Sequence, residues 1–155
     1  GERGQGRARA VSRRAGEPAL YMTEDRRRLS TPWLVALSRA NSIDPNVLPA
    51  GVILDAAAGS GLQLVAYSQV LKRPSLGIEM DGNIAVLCAA NMHINSEEED
   101  LQRSMDRVII GDGADAEGAI TEYWNSLREA GTRAHPPIAM RVSYTPLTLP
   151  TTHPV

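Results

Sequence analysis

Short apolar runs and longer helical stretches alternate along the middle of the chain. The apolar runs fall at residues 52–54, 76–78, 107–110 and 138–140. Between them the apolar residues recur at helical spacing, most clearly over residues 62–71 and 84–92. Parallel strands need helical crossovers, so this order predicts an α/β protein with a doubly wound parallel sheet. The pattern ends after the fourth run, and we expect the sheet to be truncated there.

The two ends of the chain lack this alternation. Residues 1–30 are dominated by glycine, alanine and arginine at first and have no apolar period, which predicts a disordered basic segment. It can be interpreted as an arm for nucleic acid or as sequence upstream of a start at Met22. Residues 31–142 form the predicted domain. Residues 143–155 are expected to be an unstructured, non-native tail, because closely spaced prolines disfavour helices and central strands there: Pro146, Pro150 and Pro154.

Composition narrows the class of protein. The chain has 155 residues, about one domain, and no apolar run approaches the ~20 residues of a membrane span. Its single cysteine, Cys88, excludes an internal disulfide and predicts a cytoplasmic location. We expect Cys88 to lie in the core, and Asn91 and His93 to lie on the surface. The three histidines lack ligand spacing, so no metal site is predicted.

Each of the first three predicted strands ends in an acid or a glycine turn. Asp55 and the turn Gly59-Ser60-Gly61 follow the first strand, Glu79 follows the second, and Asp112 follows the third. In an open parallel sheet, ligands bind beyond the carboxyl ends of the strands, at the switch point. The glycines permit a sharp turn, and the helix that begins there presents unpaired backbone N–H groups. Glu79 can accept hydrogen bonds from ribose hydroxyls, and Asp112 from an exocyclic amine, so a nucleotide site is predicted.

Two features separate a dinucleotide from S-adenosylmethionine (SAM) as the ligand. The dinucleotide fingerprint needs a third glycine at the position that Leu64 occupies. An acid at position 55 would also repel a pyrophosphate, whereas it would attract the ammonium and sulfonium groups of SAM. The charge pattern therefore favours SAM.

Three segments resemble the motifs of class I SAM-dependent methyltransferases. Residues 54–61 (Leu-Asp-Ala-Ala-Ala-Gly-Ser-Gly) resemble the first motif, residues 77–81 (Gly-Ile-Glu-Met-Asp) the second, and residues 108–114 (Val-Ile-Ile-Gly-Asp-Gly-Ala) the third. The resemblance covers roughly residues 50–140 and implies a Rossmann-like fold with SAM as cofactor.

The resemblance also implies a role for each candidate site residue. Gly59 and Gly61 would line the methionine portion, Asp55 would face its amino group, Glu79 would hold the ribose and Asp112 the adenine. Met80 would either pack on the adenine or belong to the core. Ser60 and Gly113 complete the predicted cofactor-binding set.

The sequence departs from the family after the fourth strand. Amino-methylating members carry an acid or amide, two prolines and an aromatic residue there, but Pro136 and Pro137 precede the strand instead. Catalytic residues are therefore not predicted, and we expect the 155-residue chain to be inactive. The first two motifs look like those of RNA-modifying members, which makes RNA the first expectation for the substrate. Protein or small-molecule methylation, and a non-catalytic SAM- or nucleotide-binding fragment, are the alternatives.

Overall fold

The computed structural model describes residues 9–11, 18, 20–22, 31–99, 101–129 and 137–142, and all structural statements concern these residues. The strands are β1 (Arg9–Val11), β2 (Leu20–Met22), β3 (Val52–Asp55), β4 (Ser75–Glu79), β5 (Val108–Ile110) and β6 (Ile138–Val142). The helices are α1 (Trp33–Asn41), α2 (Leu62–Leu71), α3 (Gly82–Ile94), α4 (Leu101–Met105) and α5 (Ala116–Glu129). All four strands expected from the apolar runs are confirmed, while the short helix α4 after the acidic connection was not predicted.

Four of the strands form one parallel sheet, in the order β5-β4-β3-β6. The chain runs outward from β3 through β4 to β5 and then crosses back to place β6 beside β3. This confirms the α/β class and the parallel sheet, and the arrangement is compatible with a Rossmann-like fold. The strand order reverses between β3 and β6, so the switch point lies at their carboxyl ends.

Successive side chains of the strands point to opposite faces of the sheet. Each face carries an apolar cluster, and helices therefore cover both faces. On β3, Ile53 packs into the cluster beneath α2 and α3, whereas Val52 and Leu54 pack into the cluster beneath α5. All four residues of β3 are buried, as expected for a central strand enclosed on both faces. The expected winding of helices around the sheet follows from this alternation.

A second, antiparallel pair of strands precedes the sheet. Strand β2 pairs with β1, and Leu20 and Met22 are buried against Trp33 of α1 and Val65 of α2. The prediction of a disordered segment through residue 30 is therefore wrong for residues 9–11 and 20–22. Three residues are too few to show a period in the sequence, and their burial depends on helices that follow much later in the chain. The predicted tail, residues 143–155, lies outside the described residues.

Candidate functional site

A cavity of about 480 Å³ opens at the carboxyl ends of the parallel strands, at the switch point. Its walls come from the turns after β3, β4 and β5 and from the end of β6. The lining residues are Asp55, Ala56, Ala57, Ile78, Glu79, Met80, Asp112, Gly113, Ala114, Arg141 and Val142. Three acids that lie far apart in the sequence thus share one cavity, because the carboxyl ends of parallel strands meet at one edge of the sheet.

Asp55 ends β3 and is the most deeply buried acid of the cavity. Its side chain is 1% exposed, and its Oδ1 atom accepts a hydrogen bond from the Ala57 N–H at 2.9 Å. Burial, together with the negative charge of Glu79, raises the pKa of Asp55 to about 6. The hydrogen bond from Ala57 and the positive charge of Arg141 act in the opposite direction. Asp55 therefore stands where a cationic ligand group would relieve the cost of its charge.

Glu79 ends β4 and connects two turns at the mouth of the cavity. Its Oε1 atom accepts from the Gly59 N–H at 3.0 Å, and its Oε2 atom accepts from the Asp81 N–H at 2.8 Å. An ionised carboxylate offers about four acceptor positions, so each oxygen retains capacity for one more donor. Glu79 is thereby held in place by backbone groups and is still able to accept two hydrogen bonds from a ligand.

Asp112 follows β5 on the far side of the cavity. Its Oδ1 atom accepts from the Ala114 N–H at 2.9 Å and caps the short 3₁₀ turn Gly113–Asp115. The backbone of Gly113 packs against the Ala56 carbonyl so closely that no Cβ atom would fit. The turns after β3 and β5 are thus in contact, which fixes the separation of their acids.

The glycine turn contributes to the site in a different way from the predicted one. None of its three residues lines the cavity: the Gly59 N–H donates to Glu79, which does, and Ser60 and Gly61 are buried behind it. Gly61 has a φ of 91°, and a Cβ atom there would lie 3.1 Å from the Cys88 Sγ atom. Glycine is needed at this position for the turn to lie close to α3.

The exposure of Met80 and Cys88 decides whether each of them belongs to the core. The Met80 side chain is 67% exposed at the cavity, so the interpretation of Met80 as a core residue is wrong. Cys88 is fully buried, which confirms its predicted core position. Burial raises the pKa of the Cys88 thiol, which opposes a role as a nucleophile.

The sequence interpretation missed Arg141 near the end of β6. Arg141 pairs with Leu54 across the switch point, and its Nη2 atom donates to the Gly113 carbonyl at 3.3 Å. Among the described residues that line the cavity, Arg141 is the one cation. The position that selected Asp55 and Glu79, the first residue after an apolar run, is occupied by Arg141 after residues 138–140; Arg141 was missed because only acids and glycine turns were considered at the strand ends.

Asn91 on α3 was expected on the surface, and this prediction is wrong. Its side chain is 0% exposed and bonds to the backbone of Tyr21 in β2 and of Ser60 in the glycine turn. A polar residue in the otherwise apolar stretch of residues 87–92 was the signal for it. Periodicity does not show which distant backbone groups such an amide would meet.

A second cavity, of about 200 Å³, lies at the opposite, amino edge of the sheet. Three arginines line it, but the Arg73 guanidinium donates to the carbonyls of Leu48 and Pro49. The Arg103 guanidinium lies 3.9 Å from a Glu98 carboxylate oxygen. Two of the three arginines therefore already contact other groups of the chain, which leaves less positive charge available to a ligand than the number of arginines indicates.

The described residues contain no cluster of three or more histidine, cysteine or acidic side chains arranged to bind a metal ion. No helix in the described part of the chain has the length and apolar character needed to cross a membrane. The chain was also compared with family models, with curated proteins and with solved structures, and none of these comparisons found a match.

Proposed function

We propose that this chain carries the cofactor-binding portion of a class I SAM-dependent methyltransferase and that the cavity at the switch point binds SAM. The observation that carries the proposal is the meeting of Asp55, Glu79 and Asp112 in one cavity, each from the end of a different parallel strand. Three acceptors at fixed separations suit a ligand with several donors and a positive charge.

The residues of the cavity fit the parts of SAM. Glu79 has two acceptor positions left for the ribose hydroxyls, and Asp112 can accept from the adenine amine. Asp55 can pair with the methionine ammonium, and Arg141 can pair with the methionine carboxylate. The exposed Met80 side chain offers an apolar surface for the adenine ring.

The reaction we propose is direct transfer of a methyl group to a nucleophile. When bound, SAM supplies a methyl group that its sulfonium sulfur already activates. The contribution of the chain is to hold the cofactor in one orientation beside the acceptor, where near-attack geometry provides the rate gain. RNA is the proposed acceptor, supported by the likeness of residues 54–61 and 77–81 to RNA-modifying members. That support is analogy between motifs, and a methylation assay on bulk RNA tests it.

The packing behind the glycine turn argues against a dinucleotide. Leu64 is completely buried, and its Cδ1 atom occupies the space beside Gly77 of β4. The helix side of this contact therefore carries a large side chain where the dinucleotide fingerprint has glycine. The concentration of carboxylates around the cavity also disfavours a pyrophosphate.

Calorimetry with SAM, S-adenosylhomocysteine and NAD tests the proposal. We expect SAM and S-adenosylhomocysteine to bind and NAD to bind much more weakly or not at all. NAD binding more tightly than SAM would overturn the assignment.

Substitution of Glu79 tests the site itself. Glu79→Ala should weaken SAM binding by about ten- to a hundredfold, because hydrogen bonds to a charged acceptor contribute about 1.5–3 kcal/mol. Glu79→Gln keeps one acceptor oxygen for the backbone and should lose less affinity. Glu117→Ala, an exposed acid on α5 outside the cavity, serves as the matched control and should leave the SAM dissociation constant unchanged.

A further inference from the structure

We propose that Asn91 is a positioning residue that couples the docking of β2 to the glycine turn of the SAM site. The inference rests on the proposed function and extends it to a residue that does not line the cavity. Asn91 is completely buried on α3, between β2 and residues 59–61.

The side-chain amide of Asn91 uses both of its ends. Its Nδ2 atom donates to the Ser60 carbonyl at 2.7 Å and to the Tyr21 carbonyl at 2.9 Å. Its Oδ1 atom accepts from the Tyr21 N–H at 2.5 Å. The amide thus bonds both the N–H and the carbonyl of Tyr21, as the backbone of a neighbouring strand would. Its second N–H bonds the glycine turn.

A short sequence of contacts leads from Asn91 to the cavity. Asn91 holds the carbonyl of Ser60, and the adjacent residue, Gly59, donates its N–H to the Oε1 atom of Glu79. Glu79 lines the cavity and is the proposed ribose acceptor. A displaced turn would therefore change the orientation of the carboxylate that binds the cofactor.

This set of partners requires two donors and one acceptor, which the amide of Asn91 supplies. Aspartate has no donor, so Asn91→Asp would place a carboxylate against two backbone carbonyls. Leucine has a similar volume but forms no hydrogen bond, so Asn91→Leu would leave buried backbone groups without this partner. Both changes should release the turn and β2 together.

Apolar side chains of β2 hold this strand against the helices. Leu20 and Met22, on either side of Tyr21, are buried against α1 and α2. Alternation along the strand therefore directs Tyr21 away from that cluster, while its backbone bonds to Asn91. Docking of β2 and the geometry of the turn are then linked through one amide.

The test measures SAM affinity and local amide exchange in variants of the whole chain. We expect Asn91→Asp and Asn91→Leu to weaken SAM binding by at least tenfold. Amide hydrogen exchange should accelerate at residues 20–22 and 59–61, without the cofactor as well as with it. Asn125→Asp, an exposed site on α5, makes the same charge change and should alter neither measurement.

A merely structural role for Asn91 is distinguished by a second control. Ile120→Ala removes a buried side chain from the opposite face of the sheet and should lower the melting temperature, while no residue of α3 belongs to its apolar cluster. We expect it to leave SAM affinity unchanged. If Asn91 variants lose no more affinity than Ile120→Ala, and exchange in residues 59–61 is unchanged, the proposal is wrong.

A variant on the other side of the contact covers the case in which Asn91 variants do not fold. Tyr21→Pro removes the N–H group that donates to the Asn91 Oδ1 atom and leaves the Asn91 side chain unchanged. It should accelerate exchange at residues 59–61, and its effect should be non-additive with that of Asn91→Leu where both fold. Unchanged exchange there would overturn the coupling. If the wild-type chain binds no SAM, the proposed function fails, while the exchange measurements still decide the coupling.

Discussion

At the scale of single residues, Asp55 opposes the stability of the fold. Its carboxylate is almost completely removed from water, and burial raises its pKa from 3.8 to about 6. Between these two pH values the folded chain holds a proton that the unfolded chain releases, so the free energy of unfolding falls as pH rises. Above about pH 6 the full penalty remains, and the difference in pKa corresponds to about 3 kcal/mol.

Asp55→Asn should therefore stabilise the cofactor-free chain at pH 7.5 and have little effect near pH 4. Asparagine keeps an oxygen for the Ala57 N–H and removes the buried charge. Denaturant unfolding of both proteins across this pH range measures the difference. Equal effects at both pH values, or destabilisation at pH 7.5, would contradict the account of Asp55.

Titration of Asp55 should also change the affinity for SAM, and this affinity should rise with pH where the free energy of unfolding falls. Ionised Asp55 can pair with the methionine ammonium, so SAM affinity should fall as pH is lowered through about 6. Glu79 and Arg141 are the other charged groups that act on Asp55, and both belong to the cavity. Calorimetry between pH 5 and 8 checks this, and in Asp55→Asn this part of the pH dependence should be absent.

At the scale of elements, the contact between α2 and β4 depends on a small residue in the strand. A Cβ atom at Gly77 would lie 2.9 Å from the Ala58 Cβ atom and 3.0 Å from the Leu64 Cδ1 atom. The Leu64 side chain can shift, but Ala58 is held by its backbone bond to the Ile78 carbonyl. The close approach of α2 and β4 thus depends on the absence of a side chain at Gly77 in the strand.

Gly77→Ala should destabilise the fold by about 1–3 kcal/mol, the usual cost of overpacking a core. Gly82→Ala is the matched control, because the nearest atom to its Cβ would be the Ile110 Cδ1 at 3.7 Å. That change should be neutral or mildly stabilising. Denaturant midpoints of the two variants measure the contrast, and equal stability would show that the core around Leu64 adjusts freely.

At the scale of the whole molecule, the predicted boundary at residue 31 leaves out part of the packed structure. Leu20→Ala should cost about 2–5 kcal/mol of unfolding free energy, as for other buried leucines. Leu34→Ala, 58% exposed on α1, makes the same change and should have an effect within about 0.5 kcal/mol. Thermal or denaturant unfolding compares them, and a neutral Leu20→Ala would return residues 20–22 to the disordered segment.

The sequence by itself determined the elements of the sheet and the edge at which the candidate site lies. The apolar runs located β3 to β6 to within two residues at either end, and the predicted helix over residues 62–71 matches α2. Strand and helix periods are local properties, so they can be read from neighbouring residues. The acids at the strand ends were expected to converge because parallel strands bring their carboxyl ends to one edge.

Only the tertiary structure decided which side chains face the cavity and which are enclosed. Ser60 and Gly61 belong to the same motif as Asp55, yet they turn toward α3, while Arg141 enters the cavity from a strand at the opposite side of the switch point. Asn91 is buried because β2, some 70 residues earlier, lies against it. The free energy of burying a polar group depends on the partners that distant segments bring to it, and no local pattern contains that information.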